Sequence, residues 1–165
     1  MIHYYYGKGK GKTSAAVGAC LRAAGSGLRC AMIQFLKNGT SSEIVLLRQC
    51  GIDVFACDFE GVRFFSKMTE AECENVIHAH NENLRRVIAD HYQMLVLDEL
   101  GDAVIKNAVD AELVQTVLSL LDTEIIITGH KKMEQFMQCA DYITEFRCIS
   151  HPYQKGMKAR KGIEF

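Results

Sequence analysis

Short apolar segments, rich in β-branched and aromatic residues, alternate along this chain with longer segments of helical periodicity. The short segments predict six strands, at residues 2–6, 29–36, 52–56, 94–97, 124–128 and 142–146. Strands that alternate with helices are typical of a parallel sheet, because each parallel connection needs a crossover that a helix can supply. The pattern therefore predicts an α/β fold with a mostly parallel sheet and helices on both faces.

The spacing of apolar residues also predicts three helices. One covers residues 12–24, a second begins near Thr69 and a third covers residues 110–121. The Thr-x-x-Glu spacing that starts at Thr69 predicts a capping box. His78 and His80 lie two positions apart on the second helix, where they face different directions and make a poor metal pair, so we interpret both as structural.

Residues 6–14, Tyr-Gly-Lys-Gly-Lys-Gly-Lys-Thr-Ser, join the first strand to the first helix. Glycines let backbone N–H groups approach a phosphate, a lysine adds a point charge, and the following helix presents its positive end. This predicts a triphosphate-binding loop and a P-loop NTPase-like (RecA-like) domain, although Tyr6 stands where the usual first glycine belongs and the loop is one residue short. A flexible basic N-terminus is the alternative, which the position between strand and helix argues against. The predicted nucleotide ligands are Gly7, Lys8, Gly9, Lys10, Gly11, Lys12, Thr13 and Ser14.

Polar residues follow two other predicted strands. Asp98 and Glu99 end the fourth strand, where a phosphate-loop protein holds magnesium and its waters together with Thr13. Because side chains alternate along a strand, one carboxylate is expected on the metal while the other orients water or Thr13; the alternative is that both simply cap the next turn. His130 follows the fifth strand and is a candidate phosphate donor, although a histidine there is often structural or solvated.

Composition narrows the function classes. The 165 residues, 48% of them hydrophobic, suffice for one domain over residues 1–165. A net charge of -1 gives no basic excess for nucleic acid. The seven cysteines include no C-x-x-C pair and predict reduced core residues, since a metal site of Cys50, Cys57 and Cys73 has no recognisable ligand spacing. With no signal peptide and no apolar run of membrane-spanning length, we expect a cytoplasmic protein without membrane contact.

Two glycine-containing stretches and the tail have no clear periodicity. Residues 37–43 and 58–67 both follow strands, and ligands of open α/β sheets bind beyond the carboxyl ends of strands. These loops are therefore candidates for the site of a second substrate. Residues 144–165 mix cations, glycines and aromatics, which is compatible with a mobile basic tail or with packing on a nucleotide base.

As a whole, the sequence resembles the ATP:corrinoid adenosyltransferases of the CobA/CobO (BtuR) type, also called cob(I)yrinic acid a,c-diamide adenosyltransferases. The resemblance covers nearly the entire chain, and the shortened loop is a feature of that family. The stretches that carry it are residues 7–13, 21–25, 33–37, 96–100, 127–129 and 151–165.

The resemblance implies transfer of the 5′-deoxyadenosyl group of ATP to the Co(I) centre of a corrinoid such as cob(I)alamin, with triphosphate leaving, in adenosylcobalamin biosynthesis or salvage. Cobalt(I) is the nucleophile, so no catalytic side-chain nucleophile is expected. The resemblance further implies that Thr13 and Glu99 hold Mg2+ (or Mn2+), that Arg22 lies near the nucleotide and that His151 fixes its adenosine end. It also implies a homodimer and a flavodoxin-like reductant.

The chain departs from the family at two places. A Phe-x-Trp pair commonly caps the corrin ring in the family, whereas this chain has no tryptophan and places Val62 and Phe64 there, with Phe65 beside them. In this chain, His130 stands in place of the arginine that usually follows Thr-Gly in the family. A phosphoryl-transferring ATPase or kinase is the alternative enzyme, and it predicts orthophosphate or a phosphorylated acceptor. A nucleotide sensor or nucleic-acid module is the non-catalytic alternative, which the near-neutral charge disfavours.

Overall fold

The structure is a computed structural model, and it describes residues 1–57, 65–160 and 162–163. Within these ranges one sheet has the strand order β3-β2-β4-β5-β1-β6, and every neighbouring pair is parallel. The strands are β1 (Ile2–Tyr6), β2 (Cys30–Gln34), β3 (Asp53–Ala56), β4 (Met94–Asp98), β5 (Glu124–Gly129) and β6 (Tyr142–Glu145). The predicted parallel α/β sheet is confirmed.

Helices connect these strands. They are α1 (Lys12–Gly25), α2 (Glu43–Gln49), α3 (Glu70–Ala89), α4 (Leu100–Ile105), α5 (Ala111–Leu118) and α6 (Glu134–Cys139), with 3₁₀ turns at Phe65–Lys67 and Pro152–Lys155. The capping box at Thr69 is confirmed, because its side chain accepts from the Glu72 N–H while its own N–H donates to Glu72 Oε2 at 2.7 Å. No helix among the described residues is long and apolar enough to cross a membrane.

The sheet is covered on both faces, because alternate residues of each strand enter different hydrophobic clusters. Ile33, Leu95 and Ile127 face one cluster, which the helices α3 to α6 complete. Met32, Val96 and Ile126 face the other, beneath α1 and α2. This alternation confirms the predicted helices on both faces.

The prediction of core cysteines holds only in part. Cys20, Cys30 and Cys57 are buried and Cys73 is half-buried, whereas Cys50, Cys139 and Cys148 are exposed. All seven are free thiols, and burial raises the pKa of the Cys20 and Cys57 thiols to about 12. Buried thiols of this kind behave as small hydrophobic groups.

His80 is structural, as predicted. Its ring is fully buried, with Nδ1 2.8 Å from the Ala108 carbonyl and Nε2 accepting the Leu36 N–H at 3.0 Å. These partners require a neutral ring protonated on Nδ1, and burial lowers its pKa to about 4. The ring thereby holds Leu36 in a left-handed conformation with φ 58° just beyond β2, where the chain turns toward the carboxyl edge of the sheet.

Candidate functional site

The candidate site lies at the carboxyl ends of β1, β4 and β5, which meet at one edge because the strands are parallel. The loop between β1 and α1 encloses a cleft of about 180 Å³ there. Nine sequence-predicted residues line this cleft together with Thr128: Lys8, Gly9, Lys10, Gly11, Lys12, Thr13, Glu99, His130 and His151. The position agrees with the rule that open α/β sheets bind ligands beyond the carboxyl ends of their strands.

Gly7 and Gly9 pack the loop against the chain that leaves β6. The Gly7 N–H donates to the Gly129 carbonyl at 3.1 Å, and the Gly9 N–H donates to the Phe146 carbonyl at 2.7 Å. A Cβ on Gly9 would lie 2.7 Å from the carbonyl carbon of Phe146, which is closer than side chains tolerate. These two amides are therefore bonded to backbone, and the expectation that every loop glycine frees its N–H for phosphate does not apply to them.

Lys12 holds the inside of the loop. Its ammonium donates to the carbonyls of Gly7 at 2.8 Å and Gly9 at 2.9 Å, and the residue is only 9% exposed. Burial lowers the pKa of Lys12, and the nearby carboxylates, Asp102 first among them, oppose that shift. The contacts place a positive charge at the N-terminus of α1, where backbone dipoles already favour an anion.

Asp98 is fully buried and organises the base of the cleft. Its Oδ1 accepts the hydroxyls of Thr13 and Thr128, each at 2.8 Å, and its Oδ2 accepts the Lys37 ammonium at 2.7 Å. Sequence reasoning did not single out Lys37, although its loop was a candidate for a second-substrate site. Its position immediately beyond β2, the strand next to β4, was the signal that could have identified it.

Glu99 departs from the expected strand alternation. Its backbone is left-handed, with φ 61°, and its N–H donates to Thr128 Oγ1 at 2.8 Å. This turn brings the Glu99 carboxylate to 3.1 Å from the same Lys37 ammonium that binds Asp98, so both acids face one point. The side chain of Glu99 makes no capping hydrogen bond to α4, which speaks against the alternative of a simple helix cap.

Asp98 and Glu99, hereafter the carboxylate pair, fit a divalent cation. Carboxylate and hydroxyl oxygens are ligands of the kind Mg2+ prefers, and the Lys37 ammonium already places a cation between the two carboxylates. Burial alone would lower the pKa of Lys37, but the two negative charges outweigh it and raise that pKa. No group of three or more His, Cys, Asp or Glu side chains suited to a metal occurs among the described residues. A metal here would therefore draw further ligands from hydroxyls, water or phosphate.

His130 reaches the cleft from the end of β5 and is paired with Asp102. Asp102 Oδ2 lies 2.9 Å from His130 Nδ1 and 3.1 Å from its backbone nitrogen. The hydrogen bond that His130 donates to Asp102 raises the pKa of His130. Asp102 is a residue that sequence reasoning missed, since it lies inside the short helix α4, which has too few residues to display a period.

The remaining predicted residues lie apart from this cleft or outside the described ranges. Ser14 is exposed in the first turn of α1. Arg22 is exposed in the last turn, about 15 Å along the axis from Lys12 at 1.5 Å per residue, so the structure does not bring it to the cleft. Phe65 is half-buried and packs against the core, whereas Val62 and Phe64 lie outside the described residues.

Comparison with known proteins gives a consistent result. The family model for ATP:corrinoid adenosyltransferase BtuR/CobO/CobP matches residues 1–165. A corrinoid adenosyltransferase of Sinorhizobium sp is 33% identical over 96% of this chain and 77% of its own length. The Escherichia coli K12 corrinoid adenosyltransferase is 32% identical over 100% of this chain and 85% of its own length. The Salmonella typhimurium corrinoid adenosyltransferase CobA is 31% identical with the same coverage, 100% and 85%.

Proposed function

The chain belongs to the ATP:corrinoid adenosyltransferase family, and on this premise we propose that it transfers the 5′-deoxyadenosyl group of ATP to the Co(I) centre of a corrinoid. The C5′–O bond of ATP breaks and triphosphate leaves with the bonding electrons. Cobalt(I) supplies the electron pair of the new Co–C bond and becomes formally Co(III). The substrate is thus the nucleophile, and the protein must bind ATP, orient it and neutralise the leaving triphosphate.

The observation that carries this proposal is the charge of the cleft. Lys8, Lys10, Lys12 and His130 line it, beside the N-terminus of α1. A triphosphate leaving group carries several negative charges, and donors fixed before the reaction stabilise such charge without reorganising. Lys12 is the principal contact in this proposal, since its ammonium is already held within the loop.

The metal and the adenosine end complete the proposed nucleotide site. Thr13 and Glu99 are the proposed ligands of Mg2+ (or Mn2+), and a bound ion would neutralise phosphate charge. The neighbouring Asp98 orients the Thr13 hydroxyl through their 2.8 Å hydrogen bond. His151, on the segment after β6, lines the cleft, and its Nδ1 accepts the Tyr153 N–H at 3.1 Å. This bond fixes the imidazole, which supports its proposed contact with the adenosine end.

The corrinoid is proposed to bind near residues 58–67. These residues follow β3 in the sequence, and the carboxyl end of β3 lies at the same edge of the sheet as the cleft. Phe65 begins the 3₁₀ turn before α3, and Val62 and Phe64 remain the predicted capping positions. Arg22 also remains a prediction. The proposal also includes a homodimer, a cytoplasmic location and a flavodoxin-like reductant, whose electrons reduce the corrinoid cobalt to Co(I).

The test is an anaerobic assay with MgATP and chemically reduced cob(I)alamin, followed through the corrinoid absorbance and through the identity of the inorganic product. Light-sensitive adenosylcobalamin and triphosphate in equal amounts are expected. Lys12→Ala should abolish the reaction, whereas Lys132→Ala, which changes an exposed lysine outside the cleft lining, should not. Orthophosphate without a corrinoid change would refute the proposal and favour a phosphoryl-transferring ATPase. Parallel reactions with cob(I)yrinic acid a,c-diamide would identify the preferred acceptor.

A further inference from the structure

Asp102 and His130 form a hydrogen-bonded pair, and the proposed reaction gives a role to the histidine alone. We propose that Asp102 is a positioning residue that holds the His130 imidazole toward the triphosphate, so that this protein binds triphosphate through a cation that titrates. The inference rests on the proposed function, because it assigns a ligand to the triphosphate of the same site. Its consequence is that the contribution of His130 to triphosphate affinity declines as the pH rises.

The pair is built by the close approach of two glycines. Gly101 and Gly129 immediately precede Asp102 and His130, and they lie in contact where α4 crosses the end of β5. A Cβ on Gly129 would be 3.1 Å from the Gly101 Cα, and a Cβ on Gly101 would be 3.2 Å from the Gly129 Cα. The absence of both side chains thus permits the packing that brings the next two residues together.

Asp102 makes two hydrogen bonds with His130. One carboxylate oxygen accepts from both the backbone N–H and Nδ1 of His130, and the Asp102 side chain is only 14% exposed. With Nδ1 and the backbone fixed, Nε2 is the ring nitrogen left to meet a ligand. The imidazole lines the cleft beside the phosphate loop, and its side chain is 54% exposed, so a bound anion can reach it.

The charges around His130 oppose one another. The hydrogen bond to Asp102 favours the imidazolium, partial burial disfavours it, the charges of Asp102 and Glu99 favour it, and Lys12 disfavours it. Lys106, at the end of α4, contributes a further positive charge that acts on Asp102. The balance raises the pKa of His130 from its ordinary value. Unlike lysine or arginine, a histidine in this balance changes charge near neutral pH.

The test compares inorganic tripolyphosphate binding by calorimetry from about pH 6 to about pH 8.5, where histidine titrates, for the wild type, His130→Arg, His130→Gln and Asp102→Asn. The arginine of His130→Arg keeps its charge throughout this pH range. The ratio of the wild-type tripolyphosphate affinity to that of His130→Arg therefore cancels the effect of the titration of tripolyphosphate itself. We expect that ratio to fall about three- to tenfold across the range, a modest factor because the ring is half-exposed. Asp102→Asn should move the fall to lower pH, and His130→Gln should bind weakly throughout.

The outcomes separate this inference from the proposed function. If the wild type and His130→Arg bind tripolyphosphate with parallel pH profiles, His130 is not a titrating ligand. If Asp102→Asn leaves the wild-type profile unchanged, Asp102 does not position the ring. If neither the wild type nor His130→Arg binds tripolyphosphate, the proposed triphosphate site is wrong, and the inference about His130 is wrong with it. Thermal unfolding of each variant establishes that it is folded at the pH of measurement.

Discussion

Acid should destabilise this protein through His80, a residue outside the cleft. The buried ring has a pKa of about 4 in the folded protein, against an ordinary value near 6.5. Between these values the unfolded chain binds a proton that the folded protein does not, so the free energy of unfolding falls as the pH decreases. Protonation would also remove the acceptor for the Leu36 N–H, because both ring nitrogens of an imidazolium are donors.

The magnitude follows from the separation of the two pKa values. The linkage relation gives a loss of about 2 kcal/mol between pH 7 and pH 5 and a limiting loss of about 3 kcal/mol below pH 4. This free-energy loss needs no reduction for solvent screening, since His80 is 0% exposed. Such a loss is a substantial part of the stability of an ordinary domain, which is about 5–15 kcal/mol.

Urea unfolding at about pH 7 and about pH 5 measures this loss of unfolding free energy, with His80→Gln as the matched control. The variant is less stable at both pH values because it loses packing and hydrogen bonds, but its side chain does not titrate. Carboxylates elsewhere contribute equally to both proteins, so the difference between their pH effects isolates His80. A pH effect in His80→Gln as large as in the wild type would show that the buried ring is not the source of acid sensitivity.

Four further changes test other parts of the structure. Lys12→Ala should weaken tripolyphosphate binding by at least about tenfold in calorimetry, since it removes a charge-assisted contact, whereas Lys132→Ala should leave it unchanged. Lys37→Met should raise the Mn2+ affinity of the nucleotide-free protein, measured by electron paramagnetic resonance, because it removes the cation between the two acids of the carboxylate pair; an unchanged affinity would contradict that placement. Gly9→Ala should lower the unfolding free energy by about 1–3 kcal/mol in urea, since its Cβ meets backbone, and an effect within about 0.5 kcal/mol would contradict the tight packing. Thr69→Ala should cost about 1 kcal/mol in the same assay through its lost cap, and no loss would show that the capping box is dispensable.

The sequence predicted the sheet well because each strand carries a local signal. Runs of β-branched and aromatic residues located all six strands within a few residues of their observed bounds. The predicted second strand, residues 29–36, ends at Gln34 instead, since Leu36 turns back with φ 58° onto His80. The helices α2, α4 and α6 were not predicted, because six or seven residues are too few to establish a helical period.

The site was predicted where one segment carries the whole signal and missed where distant segments meet. The phosphate loop and the carboxylate pair are contiguous in sequence. Lys37 meets Asp98 across 61 residues, and Asp102 meets His130 across 28, so neither contact leaves a local pattern. Strand alternation predicted different directions for Asp98 and Glu99, but the left-handed backbone of Glu99 turns both carboxylates toward Lys37. The hydrogen bond between Asp98 and Thr13 agrees with the expected role of one acid in orienting Thr13.

The hydrogen bonds of Phe146 join the two features that sequence left open, the short phosphate loop and the aperiodic tail. Phe146 donates to the Tyr6 carbonyl at 2.7 Å and accepts from the Gly9 N–H at 2.7 Å, so the chain leaving β6 spans the base of the loop. Phe146 therefore ties the start of the loop, at Tyr6, to its middle, at Gly9. The same bridge anchors the start of the tail, and five residues later His151 lines the cleft. The alternative of a tail detached from the nucleotide site is therefore disfavoured for residues 146–151, because Phe146 is bonded to the phosphate loop and His151 lines the cleft.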